Sequence, residues 1–275
     1  MALALAWLVP AAATAQDAGT ITFLEGSLRM IRGTTVFQGA EGVRLKQGDI
    51  VENSDKGFVQ LEFIGGPIVV LGPSSRAYVF RLSARGNSGS GAAEGELVLL
   101  SGWLKALSGA HTGPYRFASP LLTATTRDGT IVIHSSESGC DVFIESGSAA
   151  IADTSGGGNV GKSTNGATRQ FFSYRPGKAR SSSSGPSATF LNAMPLAFRD
   201  DLPSRLSRFT GKPPEPKALH AVSYAEIRAW LAMPVQWRKG FVERFEPRLG
   251  DPEFRKQLEA HVAEYPDWEP ALHPN

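Results

Sequence analysis

The sequence is short of what several kinds of protein depend on. One cysteine, Cys140, stands in 275 residues, so no internal disulfide can form and stability has to come from packing. Its neighbours Gly139 and Asp141-Val142-Phe143-Ile144 read as a strand, so the thiol is expected as a small buried apolar group and not as a nucleophile. Neither sign of charge is in excess. The 28 Lys and Arg against 26 Asp and Glu leave a formal net charge of +2, whereas a phosphate-tracking surface needs clustered positive charge, so nucleic acid is not an expected partner. Beyond the N-terminus no run nears the roughly 20 apolar residues of a membrane span, so no integral membrane segment is expected after cleavage of the leader described below. His111, His134, His220, His261 and His273 lack a second His, Cys or carboxylate at a zinc-ligand spacing, and no metal is expected. Ser88 and Ser90 lie in a Gly/Ser loop with no strand leading into a nucleophile elbow. Asp200 and Asp201 are adjacent, which points them to different sides instead of across a substrate.

The first fifteen residues form an apolar run closed by Ala13-Thr14-Ala15, the small-x-small pattern at which a secretory signal peptide is cut. No Lys or Arg precedes that run. The segment 1–15 is expected to be a signal peptide, which makes the mature protein periplasmic or secreted in a bacterium. No cysteine adjoins the cleavage pattern, so a lipid anchor is not expected.

From Thr20 to about Gly177, short β-branched and aromatic runs alternate with Gly, Asn, Asp and Ser turns, and no helical period competes. Expected strands are Ile21–Ile31, Gly42–Val51, Gly57–Phe63, Pro67–Leu71, Ala77–Leu82, Gly95–Leu107, Tyr115–Ala118, Leu121–Thr126, Gly129–Ser135, Cys140–Glu145, Ala149–Asp153 and Arg169–Tyr174. In Phe58–Phe63 the alternation puts Val59, Leu61 and Phe63 on one face and Gln60 and Glu62 toward water. The fold expected for residues 20–178 is mainly β, a multi-stranded sandwich, roll or β-helix-like stack. Arg85–Ala93 is expected as a mobile loop, and residues 179–195, with the Ser181–Ser184 run, as a linker.

Residues 196–275 then read as a small α-helical region. An amphipathic piece spans Phe198–Phe209. Ser223 three residues before Glu226 forms a capping box that starts a helix ending near Pro234. A second helix is expected over Val235–Leu249. Asp251 and Pro252 supply an N-cap and first-turn proline for a third, Glu253–Glu264. Ile227, Trp230, Leu231, Phe241, Phe245, Leu249, Phe254, Leu258 and Val262 fall at helical spacing and should share one small core. Trp230, Trp237 and Trp268 either pack that core or, beside Arg238, Lys239, Arg244 and Arg248, offer aromatic faces to a sugar or peptide; packing is preferred, because a unit this small needs large buried side chains.

Gly156-Gly157-Gly158-Asn159-Val160-Gly161-Lys162-Ser163 matches the phosphate-binding pattern G-x-x-x-x-G-K-[ST]. There, Lys162 would reach terminal phosphate oxygens and Ser163 or Thr164 would ligate magnesium. That chemistry needs a helix directly after the lysine. Asn165-Gly166 signals a turn instead and the continuation is β-like, so Gly156, Gly161, Lys162 and Ser163 are expected to be a hairpin loop, with no cofactor.

The stretch Leu45–Phe63, with Gly48-Asp49 and then an alternating strand ending in Phe, resembles the periplasmic FecR domain. The resemblance continues through Gly65–Ser75 and reaches Phe117-Ala118-Ser119-Pro120-Leu121 and Gly129-Thr130, covering roughly Gly26 to Tyr174. Gly65 stands where the family favours Asp, and Ser119 where it favours Thr. Regulators of the family carry an anti-sigma segment and a membrane span ahead of this domain. Neither is read in this chain, so it is not expected to relay a signal to a cytoplasmic sigma factor by itself. The resemblance implies a non-catalytic envelope module for protein binding, scaffolding or signalling. A peptidoglycan- or polysaccharide-binding module is the alternative, and a nucleotide-binding protein using Lys162 a remote third. Independently of the resemblance, Gly48-Asp49 suits a tight turn in which Asp49 bonds to neighbouring backbone N–H groups.

Overall fold

A computed structural model describes residues 17–82, 95–109, 113–154 and 161–273. The expected leader, the loop Arg85–Ala93, His111 and Gly156–Val160 of the glycine-rich motif lie outside them. The protein is mainly β. Its strands are β1 (Asp17–Glu25), β2 (Leu28–Arg32), β3 (Thr35–Gln38), β4 (Arg44–Lys46), β5 (Ile50–Asn53), β6 (Phe58–Phe63), β7 (Ile68–Leu71), β8 (Arg76–Leu82) and β9 (Gly95–Ser108). After these come β10 (Tyr115–Ala118), β11 (Leu122–Thr126), β12 (Gly129–Ser136), β13 (Gly139–Asp153), β14 (Thr164–Ala167), β15 (Phe171–Tyr174), β16 (Ser181–Ser183) and β17 (Lys217–Ala221). The helices are α1 (Ala188–Ala193), α2 (Tyr224–Leu231), α3 (Val235–Arg238), α4 (Phe241–Phe245), α5 (Pro252–Glu259) and α6 (Glu269–Leu272). None of the described helices is long and apolar enough to cross a membrane.

The strands pair into two sheets that share their longest members. One runs β4–β1–β6–β7–β9–β12–β13–β15–β16. The other runs β17–β3–β2–β5–β8–β9–β10–β11–β13–β14, with β9 and β10 parallel. The first half of β9 pairs β8 in the second sheet and its second half pairs β12 in the first. Strand β13 makes the opposite crossing, from β12 to β11. Glycines in the left-handed region mark both crossings, Gly102 at φ +95° and Gly147 at φ +74°. At Gly102 a Cβ would stand 2.5 Å from the Cα of Ser75, so any side chain there collides with the neighbouring turn.

Alternation along the strands assigns each face to a different core. Val51, Val79, Leu97, Leu99, Leu104, Ala106, Ile131 and Ile133 point between the sheets into one large buried cluster. Their sequence neighbours point outward yet are also buried. Ile50, Tyr78 and Val98 lie under the C-terminal helices, and Val70, Trp103 and Val132 lie under Phe190, Phe198 and Leu202. The molecule is therefore four layers thick: the segment 188–209, two sheets, and the helices from Tyr224 onward. Gln60 and Glu62 do not face water as the alternation alone predicts. Both are buried because the segment after α1 covers their face. Gln60 donates to the carbonyl of Pro203 at 2.9 Å, and Glu62 accepts from Ser204 Oγ and from the backbone N–H of Arg205, both at 2.6 Å. Burial alone would raise the Glu62 pKa, but these bonds with those from Thr22 and Gln60 outweigh it and hold the carboxyl below its ordinary range.

The residues expected as a linker are ordered structure. Ser181–Ser183 form β16 along β15, and Ser187 caps α1 by accepting from the N–H of Phe190. The amphipathic piece Phe198–Phe209 is no α-helix but two 3-10 turns, Leu196–Arg199 and Leu206–Arg208. Its side chains serve the sheet beneath, and Pro203 interrupts the helical ladder. Helix α2 starts at the expected capping box, and α5 starts at Asp251 and Pro252. The expected second helix is broken into α3, α4 and a 3-10 turn at Glu246–Gly250, with Gly240 at one break and Pro247 in the other. The strand expected over Ile21–Ile31 turns at Gly26, φ +82°, and Cys140–Glu145 with Ala149–Asp153 is the single bent strand β13.

The helices dock on the second sheet through polar contacts as well as apolar ones. Trp230 Nε1 donates to Glu52 at 3.1 Å and Trp237 Nε1 donates to Glu96 at 2.8 Å. The guanidinium of Arg244 donates to the carbonyls of Gly33, Gly48 and Ile31. β17 extends the sheet itself by pairing β3. Two substitutions test this account by urea denaturation. Gly102→Ala should lower stability by about 2–5 kcal/mol, combining left-handed strain with overpacking. Trp237→Phe replaces the indole by a smaller phenyl ring and leaves Glu96 without its indole donor, and should cost about 1–3 kcal/mol or more.

Candidate functional site

The residues singled out in the sequence go to structural positions. Asp49 is buried in the turn before β5, where its carboxylate accepts from the N–H of Lys46 at 2.8 Å and from Nε and a terminal nitrogen of Arg32 at 2.9 and 2.7 Å. Gly48 takes φ +93° beside it. Trp230, Trp237 and Trp268 are buried in the helical core. Their rings already contact the protein interior, which removes them as binding aromatics. Lys162 and Ser163 are exposed, and the chain leaves them in strand β14 along β13, not in a helix. Asn165-Gly166, expected as a turn, lies inside that strand. Gly166 is small because Ile144 and Phe172 pack where its Cβ would stand, at 2.5 and 2.6 Å. Among the described residues no three His, Cys, Asp or Glu side chains converge on one point.

The side chains with unmet binding capacity gather elsewhere, at the rim where β9 crosses between sheets. There a depression of about 450 Å³ is lined by Ser27, Arg29, Glu52, Asn53, Ser54, Ser74, Arg76 and Ser101. It continues across Ser74 and Ser101 into a shallower hollow of about 580 Å³ under Trp103, His134 and Ser135–Ser138. The frame is fixed. Ser75 Oγ bonds both the N–H and the carbonyl of Trp103, and Asn53 Nδ2 donates to the carbonyls of Gly57 and Gly72. Ser74 sits at φ 52°, held there as its N–H donates to the carbonyl of Ser54 at 2.9 Å. A serine in this region is strained, and such strain persists only where the surroundings impose it.

Electrostatically the groove sets two guanidinium groups against one carboxylate of its own lining. Glu52, buried at its floor, bonds a terminal nitrogen of Arg29, and its other oxygen lies 3.7 Å from Nε of Arg76. Arg29 also reaches Glu226 on α2 at 3.1 Å. Arg29 and Arg76 remain 43% and 45% exposed, and the terminal nitrogens of Arg76 bond to none of the described residues. Along the far wall His134 stacks on Trp103 at 4.2 Å between centroids. Burial depresses its pKa, against the smaller opposing pull of Asp141, so the imidazole is neutral at pH 7. The hydroxyls of Ser27, Ser74 and Ser101 bond to no described residue. The family resemblance runs through Glu52–Ser54 and Ser74, but no local pattern marks these positions as a site. Pro73-Ser74-Ser75 reads as an ordinary turn, and Arg29, Glu52, Arg76 and Ser101 come from four separate strands or their ends.

No protein-family model and no curated protein matches the chain. Among solved structures it is similar to a "putative anti-sigma factor" from Parabacteroides distasonis, seen in two crystal structures. Sequence identity is 8% and 7%, with TM-scores of 0.41 and 0.40. Each alignment takes in 52% of this chain and 63% or 64% of the other, so this chain spans less than two thirds of that protein.

Cys140 offers a check on the interior beside the site. It is fully buried, accepts a hydrogen bond from Ser119 Oγ at 3.2 Å, and burial pushes its thiol up to about 12. The unfolded chain ionises near the ordinary thiol value, about 8.5. Stability from this group is therefore complete below that pH and lost as pH rises toward 12. Thiol reagent at pH 8 should leave the native protein unmodified and react fully in denaturant; rapid native labelling would contradict the burial.

Proposed function

We propose that this chain is a non-catalytic, FecR-like binding module of the bacterial cell envelope and that the Ser74 groove is where it holds a glycan. Support for the family comes from the ordered run of landmarks at Gly48-Asp49, Gly65-Gly66, Ser119-Pro120 and Gly129-Thr130, which fall at turns, ends and the start of strand β12. The observation that carries the binding role is the groove itself, with three hydroxyls and the terminal nitrogens of one guanidinium that have no partner among the described residues, around a strained serine. Such groups complement a polyhydroxylated ligand.

A protein partner is the second reading, favoured by β17. That edge strand is exposed along its length and carries Leu219 at 45% exposure, so an added strand could pair there. It has weaker support, because β17 is interrupted by a bulge between Ala218 and His220 and begins with Lys217, both devices that discourage edge pairing. The other outer edges, β4, β16 and β14, are three or four residues each.

Sedimentation of the full mature chain with purified peptidoglycan and with envelope polysaccharide separates the two. Retention on glycan that Arg76→Glu abolishes and Leu219→Asp leaves intact is the expected result. Absence of glycan retention, together with co-purifying protein lost on Leu219→Asp, would replace it with the second reading.

A further inference from the structure

The next inference rests on the glycan reading of the groove and names the sugar chemistry. We propose that the Ser74 groove binds a carboxylate-bearing saccharide, its carboxylate gripped by Arg76 and Arg29 and its hydroxyls by Ser27, Ser74 and Ser101.

The open donors set the anion. The deeper half of the groove is lined by two guanidinium groups and one carboxylate, and Glu226 draws on Arg29 from outside it. The two carboxylates take up Arg29 at both terminal nitrogens but meet Arg76 only at Nε, so what remains open is the terminal fork of Arg76. A single carboxylate satisfies it, whereas a phosphate dianion would face Glu52 at the floor and Glu137 on the far wall. The planar fork of an arginine offers two parallel N–H donors that match a carboxylate. The terminal nitrogens of Arg76 are open for this, because its one acidic neighbour among the described residues, Glu52, approaches Nε.

The remaining groups select a sugar over an acidic peptide. Peptide recognition uses an unpaired strand edge or apolar sockets for side chains. The lining here is serine, asparagine and charge, with no aliphatic socket. Hydroxyls that can both donate and accept suit ligand hydroxyls. In the shallower half, the half-buried His134, backed by Trp103 at 4.2 Å, presents a flat wall against which the C–H face of a second ring can rest. The two hollows, about 450 and 580 Å³ and sharing Ser74 and Ser101, leave room for more than one sugar ring.

Titration calorimetry on the full mature chain tests this with three probes: an oligogalacturonate hexamer, a neutral β-1,4-glucose hexamer and a hexaglutamate peptide. The oligogalacturonate should bind about tenfold or more tightly than either other probe, consistent with one charge-assisted contact, and more weakly as salt rises from about 50 to about 300 mM. Arg76→Ala should lose about tenfold or more, with Arg76→Lys between. Arg76→Lys keeps a cation beside Glu52, which retains its bonds from Arg29 and Trp230, so its thermal midpoint should stay near the parent's while its affinity falls. Ser74→Gly deletes a hydroxyl while relieving the left-handed strain, and should weaken binding as it raises the midpoint. Equal affinity for the neutral hexamer, insensitive to Arg76→Ala, would overturn the carboxylate and leave the glycan reading standing. Equal affinity for hexaglutamate would overturn the saccharide. Binding of neither sugar would end both.

Discussion

Two carboxylates on the outer face of the second sheet hold this molecule together as one body. Glu52 on β5 and Glu96 on β9 are nearly inaccessible, and each accepts an indole N–H from the C-terminal helices, from Trp230 and Trp237 respectively. Each is also faced by two arginines, Arg29 and Arg76 for Glu52, and Arg81 and Arg116 for Glu96. A buried carboxylate is costly unless its charge is matched and its lone pairs are filled. Here the sheet supplies the matching charge and the helices supply the last donor. The docking geometry is thus fixed more tightly than contact between apolar faces could fix it, since a slid or rotated helix would strand a desolvated anion. The rest follows: Tyr78 meets Trp230 and Phe241 edge-on, and Arg244 settles over three backbone carbonyls.

Much of the β architecture was legible because strands announce themselves by composition and alternation. Tyr115–Ala118 and Phe58–Phe63 fell where that pattern put them, and the caps at Ser223 and Asp251 fixed two helix starts, because capping is local chemistry that three or four residues encode. Faces were less legible than strands. Gln60 and Glu62 are polar, so local pattern sends them to water, but the partners that bury them come some 140 residues later in the chain. The Ser181–Ser183 run misled for the same reason. Serine composition resembles a linker, and only the free edge of β15 makes it a strand.

The candidate site was not legible at all. Its members lie on β2, β5, the turn before β8 and the bend of β9, brought together by a crossing that Gly102 permits. Arg29, Glu52 and Arg76 lie over twenty residues apart from one another along the chain, so no local pattern joins them. The one pattern that matched a known chemistry letter for letter, ending in Lys162-Ser163, sits where the chain passes into strand β14. Local resemblance and spatial convergence are separate kinds of information, and a β sandwich whose strands change sheets keeps them far apart.

The four-layer arrangement also orders events during synthesis. Apart from the edge strand β17, the two sheets are complete once the chain has reached β16, while the helices that cover Ile31, Val36, Ile50, Tyr78, Val98 and Ala118 are still to be made. During that interval an apolar sheet face is open to neighbouring chains, the situation in which β proteins aggregate. Glu52 and Glu96 stand in the middle of that face. Before docking they are hydrated, arginine-paired charges whose desolvation disfavours burying this face against a second copy; after docking they accept the two indoles. The pair that orients the helices in the finished protein thus protects the half-made one.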